Sequence, residues 1–157
     1  MTSWLPRKAD NTYRGQRLAL WLFGLLLLVR GVMGLNSIFN GRLVASSADG
    51  IPLDSFTPAG AQTVVALFAL FGLSRLMLTV IGVVVLARYR TLVSFMFALF
   101  LLEQLSRYLI VQQIPIPRTG TPPASAINLG ILAVTALGLV LSLWQRSHAD
   151  QRARTID

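Results

Sequence analysis

The chain has 157 residues, of which 54% are hydrophobic and only 13% charged, whereas water-soluble domains carry about 25% charged residues. Its net charge of +8 comes from 14 Lys+Arg against 6 Asp+Glu. Cysteine is absent, which excludes disulfides, thiolate metal sites, thiol catalysis and thioether lipidation.

Four long apolar stretches account for the missing charge. They predict transmembrane helices over about residues 18–36, 59–87, 92–112 and 124–144. Each is near or above the roughly 18–20 residues that cross a hydrocarbon core about 30 Å thick. The four spans use most of the chain, so residues 1–157 read as one four-helix transmembrane domain.

Residues 1–17 form a polar, basic leader containing Trp4, Leu5, Pro6 and Gly15. Span one follows, with Trp21 at its near edge, where interface tryptophans sit. Gly24 and Gly31 are seven apart and share a face, which predicts close approach of a neighbouring helix there. Arg30 interrupts the apolar run, and small residues appear only at Ala45–Ala48, so the pattern is unlike a cleaved signal peptide.

The connection over residues 37–58 is the longest. It contains Asn40-Gly41, Asp49-Gly50 and Pro52, all turn signals. Leu43-Val44 and Ile51-Pro52-Leu53 are expected to rest on the membrane surface. Thr57-Pro58 reads as an N-cap followed by a first-turn proline. Span two is then long, about 43 Å at 1.5 Å per residue, so it must tilt or protrude. It carries Arg75 just after Gly72.

Arg88-Tyr89-Arg90-Thr91 is a short link, which predicts an antiparallel hairpin of spans two and three. Span three starts rich in phenylalanine and ends polar. Glu103, Gln104, Arg107, Tyr108 and Gln112 recur at spacings of three and four, placing them along one side. Ile114-Pro115-Ile116-Pro117 and Thr121-Pro122-Pro123 break the helix. Span four carries two small or polar stripes, Ala126/Gly130/Gly138/Ser142 and Asn128/Thr135/Ser142, both packing signatures of membrane bundles. Trp144 marks its far edge, and 145–157 reads as a hydrophilic tail with the sole histidine, His148.

The basic residues fix an expected orientation. Nine lie before span one, between spans two and three, or after span four; Arg42 and Arg118 lie on the other side. The remaining three are inside spans. The bias predicts cytoplasmic tails 1–17 and 145–157, an outward loop 37–58, and both termini inside. The basic excess therefore reads as topology plus attraction to anionic headgroups, not as a nucleic-acid surface. Arg-rich, Lys-poor usage suits a bacterial chain, which places it in the cytoplasmic (inner) membrane.

The candidate site is the set of charges inside the spans: Arg30, Arg75, Arg107 and Glu103, with Gln104 and Tyr108 as polar neighbours. A charge in hydrocarbon costs about 2.5–3.5 kcal/mol on insertion scales, so such residues face a bundle interior and pair there. Glu103 is expected to pair with Arg107, four residues on, or with Arg75 on the neighbouring helix. Arg30 and Arg107 are then expected to reach outward along their aliphatic stems. The four charges sum to +2, a surplus that suits an anion held from the outer side by Arg30 and Arg107 with Gln104, Tyr108 and Asn36, since a planar guanidinium grips phosphate or carboxylate. Asn36 is a further polar neighbour.

Chemistry of other kinds finds little support. No histidine lies in a span, and HExxH, P-loop and dinucleotide glycine motifs are absent. Ser74, Ser94 and Ser106 lack a histidine base. Asp49 and Asp54 read as solvated loop acids. A proton relay generally needs several acids or histidines in series, and Glu103 stands alone in the spans.

No catalytic residue, metal ligand or cofactor is expected. The expected function is a non-enzymatic accessory or assembly component of a bacterial inner-membrane complex. The alternative is an oligomeric transporter or binding protein for an anionic solute or lipid headgroup. Expected partners are the lipid bilayer, anionic headgroups, and a membrane-protein partner or a second copy, with no nucleic acid. The overall plan resembles that of many small four-helix bacterial membrane proteins, including the DoxX-like group. That resemblance is one of architecture and assigns no functional residue.

Overall fold

A computed structural model describes Asn11, Tyr13 and residues 15–154, with backbone alone for 145–154. The expectations for Trp4, Leu5 and the rest of 1–10 lie outside the described residues, as do those for the side chain of His148. The described residues are mostly helical, with no strand among them. Four long helices dominate: α1 (Arg17–Phe39), α2 (Pro58–Arg88), α3 (Val93–Gln113) and α4 (Pro123–Arg154). All four contain stretches long and apolar enough to cross a membrane.

Local chemistry sets the helix ends. Thr57 accepts a hydrogen bond from the Gly60 amide at 3.2 Å, and Pro58 needs no amide partner in the first turn. Tyr89 closes α2, and a single 3-10 turn, Arg90–Leu92, leads into α3. α3 stops before Pro115, and Pro123 opens α4. α4 does not end at Trp144. Its backbone stays helical through Arg154, so the hydrophilic segment expected as a tail extends the helix. Loss of apolar character ends a membrane-crossing stretch, but it does not end a helix rich in good helix formers.

The packing is inverted relative to a water-soluble bundle. Large apolar side chains such as Leu28, Leu70, Val80, Leu102 and Leu129 point outward, while Arg30, Arg75, Thr79, Ser94, Thr135 and Ser142 are buried. A sheath of leucine and valine around a partly polar interior matches a hydrocarbon surrounding.

α1 and α2 pack closely through small residues. A Cβ on Gly72 would lie 2.7 Å from the Gly34 carbonyl oxygen and 2.8 Å from the Ser37 Cβ. The tight approach is therefore at Gly34 and Gly72. At Gly24 and Gly31 the same test gives ordinary contacts, 3.8 Å from Leu86 and 3.6 Å from Thr79, so the expected crossing point shifts along the helix.

α3 and α4 join through Ser94 and Ser142, which share a hydrogen bond, and through Gly138, whose missing side chain leaves room for the Phe97 ring. Both stripes on α4 pack toward its C-terminal half, where Thr135, Gly138 and Ser142 are buried, whereas Ala126 is exposed and Gly130 faces open space.

Two apolar clusters hold the ends. The larger gathers Ala19, Phe23, Leu26 and Leu27 of α1, Val85 of α2 and Val93, Met96, Phe97 and Phe100 of α3. Phe23 meets Phe97 edge-on at 5.1 Å and stacks with Phe100 at 5.9 Å. The smaller cluster is Ala45, Ile51 and Leu53, packed on Val64, Val65 and Phe68 of α2.

The smaller cluster corrects the reading of residues 37–58. The segment is not an open loop; it holds a helical turn (Gly41–Leu43), a π turn (Val44–Ala48) and a 3-10 turn (Leu53–Ser55). Ile51 and Leu53 turn into the protein instead of onto a membrane surface, while Leu43 stays exposed. Gly50 makes this possible with a φ of +71°, a left-handed conformation that side chains resist. Its carbonyl accepts hydrogen bonds from the amide of Thr119 at 2.8 Å and from its hydroxyl at 3.1 Å. That pair of bonds ties the two long connections together at one end of the bundle.

Candidate functional site

The charged side chains inside the helices sort into one pair and two unpaired groups. Arg30 on α1 forms an ion pair with Glu103 on α3. Arg30 is 2% exposed and Glu103 25% exposed, so the pair is dry at one end and open at the other. The Arg30 guanidinium also lies 4.2 Å from the centroid of the Phe100 ring. A cation over an aromatic face gains more where water is excluded.

This overturns the expected pairing. Glu103 engages neither Arg75 nor Arg107, and Arg30 does not reach outward. The register explains it. Phe100 and Glu103 are three residues apart and share a face of α3, so Arg30 meets ring and carboxylate together.

Arg75 on α2 is 8% exposed and has no carboxylate within ion-pair distance among the described residues. Its neighbours are soft: the Met33 sulfur at 4.0 Å and the Phe71 ring at 5.3 Å. Its Nε is buried without a hydrogen-bond partner, as is that of Arg30. Arg107, half-buried on α3, lies 4.9 Å from the same Phe71 ring. Two guanidinium groups from different helices thus share one aromatic side chain. Leaving a buried donor unsatisfied costs about 1–3 kcal/mol, and more when it is charged.

The remaining polar candidates separate. Gln104 turns away to α4 and donates to the Thr135 hydroxyl at 3.2 Å, which itself donates to the Ile131 carbonyl at 2.6 Å. Tyr108 is 59% exposed and stands outside the cluster. Asn36 is exposed and accepts from the Asn40 side chain at 2.8 Å, serving the end of α1. A spacing of three and four defines one broad side of α3, but adjacent residues differ by about 100° around a helix. Glu103 and Gln104 therefore serve different neighbours.

Two participants were not evident as site residues in the sequence. Phe71 precedes Arg75 by four residues, a spacing that puts it on the same face. Phe100 is placed by the packing of α1 on α3. Asp49, expected to be a solvated loop acid, is only partly exposed. Asp54, by contrast, is exposed and stands 3.8 Å from the exposed Arg42. A groove of about 540 Å³ beside Arg42, lined by Ile38, Leu43, Ser46 and Val65, shares no residue with the arginine cluster.

No protein-family model matches the chain, and comparison with curated proteins and with solved structures finds no similar protein. Among the described residues no group of three His, Asp or Glu side chains is placed to hold a metal ion.

Proposed function

We propose that the chain is a multi-pass protein of the bacterial cytoplasmic membrane that binds an anionic group through Arg75 and Arg107. One observation carries this reading: Arg75 is buried, keeps its charge, and has no acid partner among the described residues, while Arg107 offers a second guanidinium unpaired among them on the same Phe71 ring. A phosphate or carboxylate placed between them would supply the missing counter-charge and accept directional hydrogen bonds. The Arg30–Glu103 pair is then scaffold. It ties α1 to α3 and absorbs one cation, so that only two remain for a ligand.

The topology that goes with this reading is an antiparallel four-helix bundle with both termini in the cytoplasm. Nine flanking basic residues against two support that orientation. The contacts of α1 with α2 support opposed directions: Gly24 meets Leu86, Gly31 meets Thr79, and Gly41 meets Val65. Trp21 and Trp144, both exposed, fall on the cytoplasmic side in this arrangement.

A second reading, an accessory component of a membrane complex or a homo-oligomer, draws on Ala126 and Gly130. This small-residue stretch of α4 is left uncovered, with nothing within 4 Å of a Cβ at Gly130. A partner helix can approach closely there.

The test of the anion reading uses the full chain in mild detergent, with native mass spectrometry and thermal unfolding. Added anionic lipid is expected to be retained and to raise the unfolding temperature. Arg75→Gln should abolish both effects, and Arg75→Lys, which keeps the charge but loses the planar fork, should weaken them. Equal retention by wild type and Arg75→Gln would sink the reading.

A further inference from the structure

The connection between α1 and α2 presents two opposite charges at a set separation. Arg42 stands on the Gly41–Leu43 turn, which is pressed against α2: a Cβ on Gly41 would lie 3.2 Å from the Val65 carbonyl oxygen. The Ser46 hydroxyl donates to the Arg42 carbonyl at 2.9 Å and steadies the same turn. Asp54 stands on the Leu53–Ser55 turn, which is pinned by buried Leu53 against Val64, Val65 and Phe68 of α2. Two turns anchored on one helix therefore hold Arg42 and Asp54 3.8 Å apart.

That distance is too long for a hydrogen bond, and both side chains are exposed. An exposed pair of this kind contributes little to stability, so neither charge is spent on the fold.

Beside Arg42 lies the groove of about 540 Å³, within the roughly 300–1,000 Å³ typical of small-molecule sites. Ile38, Phe39, Leu43 and Val65 make its walls apolar, and Arg42 is the one charged residue that lines it. Its depth follows from the helices around it. α1 ends at Phe39, just before Arg42, and Val65 lies about 10 Å along α2 from Pro58 at 1.5 Å per residue. The apolar stretch of α2 exceeds a hydrocarbon core of about 30 Å by a similar length, so the groove opens where headgroups meet acyl chains.

Apolar walls with a charged rim at that depth fit an amphiphile, and charge complementarity selects which one. A purely anionic headgroup on Arg42 meets the Asp54 carboxylate beside it, and like charges repel. A zwitterionic headgroup places its phosphate on Arg42 and its ammonium on Asp54. In phosphatidylethanolamine a short ethyl link joins the two charges, a match to a pair held this close. Its primary ammonium donates hydrogen bonds to a carboxylate, whereas the quaternary ammonium of phosphatidylcholine has no N–H to donate.

We propose that the groove beside Arg42, together with Asp54, binds the headgroup of a zwitterionic phospholipid with a primary amine, phosphatidylethanolamine. The proposal rests on the membrane-spanning part of the functional reading and is independent of the anion site at Arg75 and Arg107.

The full chain in mild detergent is titrated with short-chain phosphatidylethanolamine, phosphatidylcholine and phosphatidylglycerol, and with phosphoethanolamine as the chain-free headgroup. Bound lipid is counted by native mass spectrometry. Every titration is repeated in Arg75→Gln, which removes the proposed anion site and so separates the two. Arg42 and Asp54 are exposed, so Arg42→Gln and Asp54→Asn are expected to fold as wild type does, checked by thermal unfolding without lipid.

Wild type and Arg75→Gln are both expected to retain phosphatidylethanolamine over phosphatidylcholine by roughly three- to tenfold, the scale of one charge-assisted hydrogen bond at a partly wet site. Arg42→Gln should weaken retention of phosphatidylethanolamine by a similar factor, and Asp54→Asn should erase the preference over phosphatidylcholine. Equal retention of phosphatidylethanolamine by wild type and Arg42→Gln overturns the proposal. So does an unchanged preference in Asp54→Asn, or tighter Arg42-dependent retention of phosphatidylglycerol in the Arg75→Gln background. Equally tight binding of phosphoethanolamine assigns the site to a soluble zwitterion, and a dimer lost in Arg42→Gln assigns the groove to a second copy; either result also overturns it.

Discussion

The ion pair between Arg30 and Glu103 is the most consequential polar contact in the bundle, and its contribution can be worked out from the structure. Glu103→Gln removes the acid and leaves Arg30, 2% exposed, with an uncompensated charge. Breaking a fully buried pair from one side costs about 3–5 kcal/mol. Glu103 is a quarter exposed, so water or headgroups reach one end of the pair. The Phe100 ring also continues to shelter the cation. Both effects pull the expected loss down to about 2–3 kcal/mol.

Arg30→Met leaves the opposite orphan, a carboxylate with partial access to solvent, and should cost somewhat less. The double variant Arg30→Met/Glu103→Gln removes both charges. Its loss should be well below the sum of the singles, giving a coupling of about 1.5–3 kcal/mol. The assay is equilibrium unfolding in mixed detergent micelles followed by tryptophan fluorescence, with the four proteins of the cycle under one condition. Additive losses, with coupling under about 0.5 kcal/mol, would refute the argument that this contact binds α1 to α3.

Three further predictions concern glycines. Gly72→Ala forces a methyl group against the Gly34 carbonyl and the Ser37 side chain, backbone to backbone, so a loss of about 1–3 kcal/mol is expected in the same assay. Gly130→Ala meets nothing within 4 Å and should be neutral or stabilising by up to about 1 kcal/mol, which makes it the internal control. Gly50→Ala asks a side chain to adopt a left-handed backbone and should cost about 1–2 kcal/mol. It should also release the clamp with Thr119, seen as faster proteolytic cleavage within residues 44–57; unchanged cleavage would show that the two connections are not tied through Gly50.

The four long helices were legible because hydrophobic length and proline breaks are local signals. The ends of α2 fall within a residue of the expected span, since Thr57-Pro58 states its start outright. The Arg30–Glu103 contact was not legible. It joins residues 73 apart on helices that are not consecutive, and nothing local fixes the rotation of α1 against α3. The folded state of residues 41–55 was missed for a related reason. Ile51 and Leu53 look like surface anchors in sequence, and only the presence of Val65 and Phe68 on α2 gives them a protein surface to cover. Phe71 was within reach, because a phenylalanine four residues before a buried arginine shares its face.

The partition of the charges argues against a purely structural role for all three arginines. A bundle that needed only a clasp between α1 and α3 has one in Arg30 and Glu103. Neither Arg75 nor Arg107 adds a second. Each is held by an aromatic contact that a methionine or leucine at the same position would replace at less cost, since neither would bring a charge into the interior. Arg75 is the sharper case, buried and with its Nε unsatisfied. On the proposed reading its cost is recovered when a negative group arrives. On that reading, a phosphate or carboxylate that reaches both guanidinium groups supplies the counter-charge that no described residue gives them.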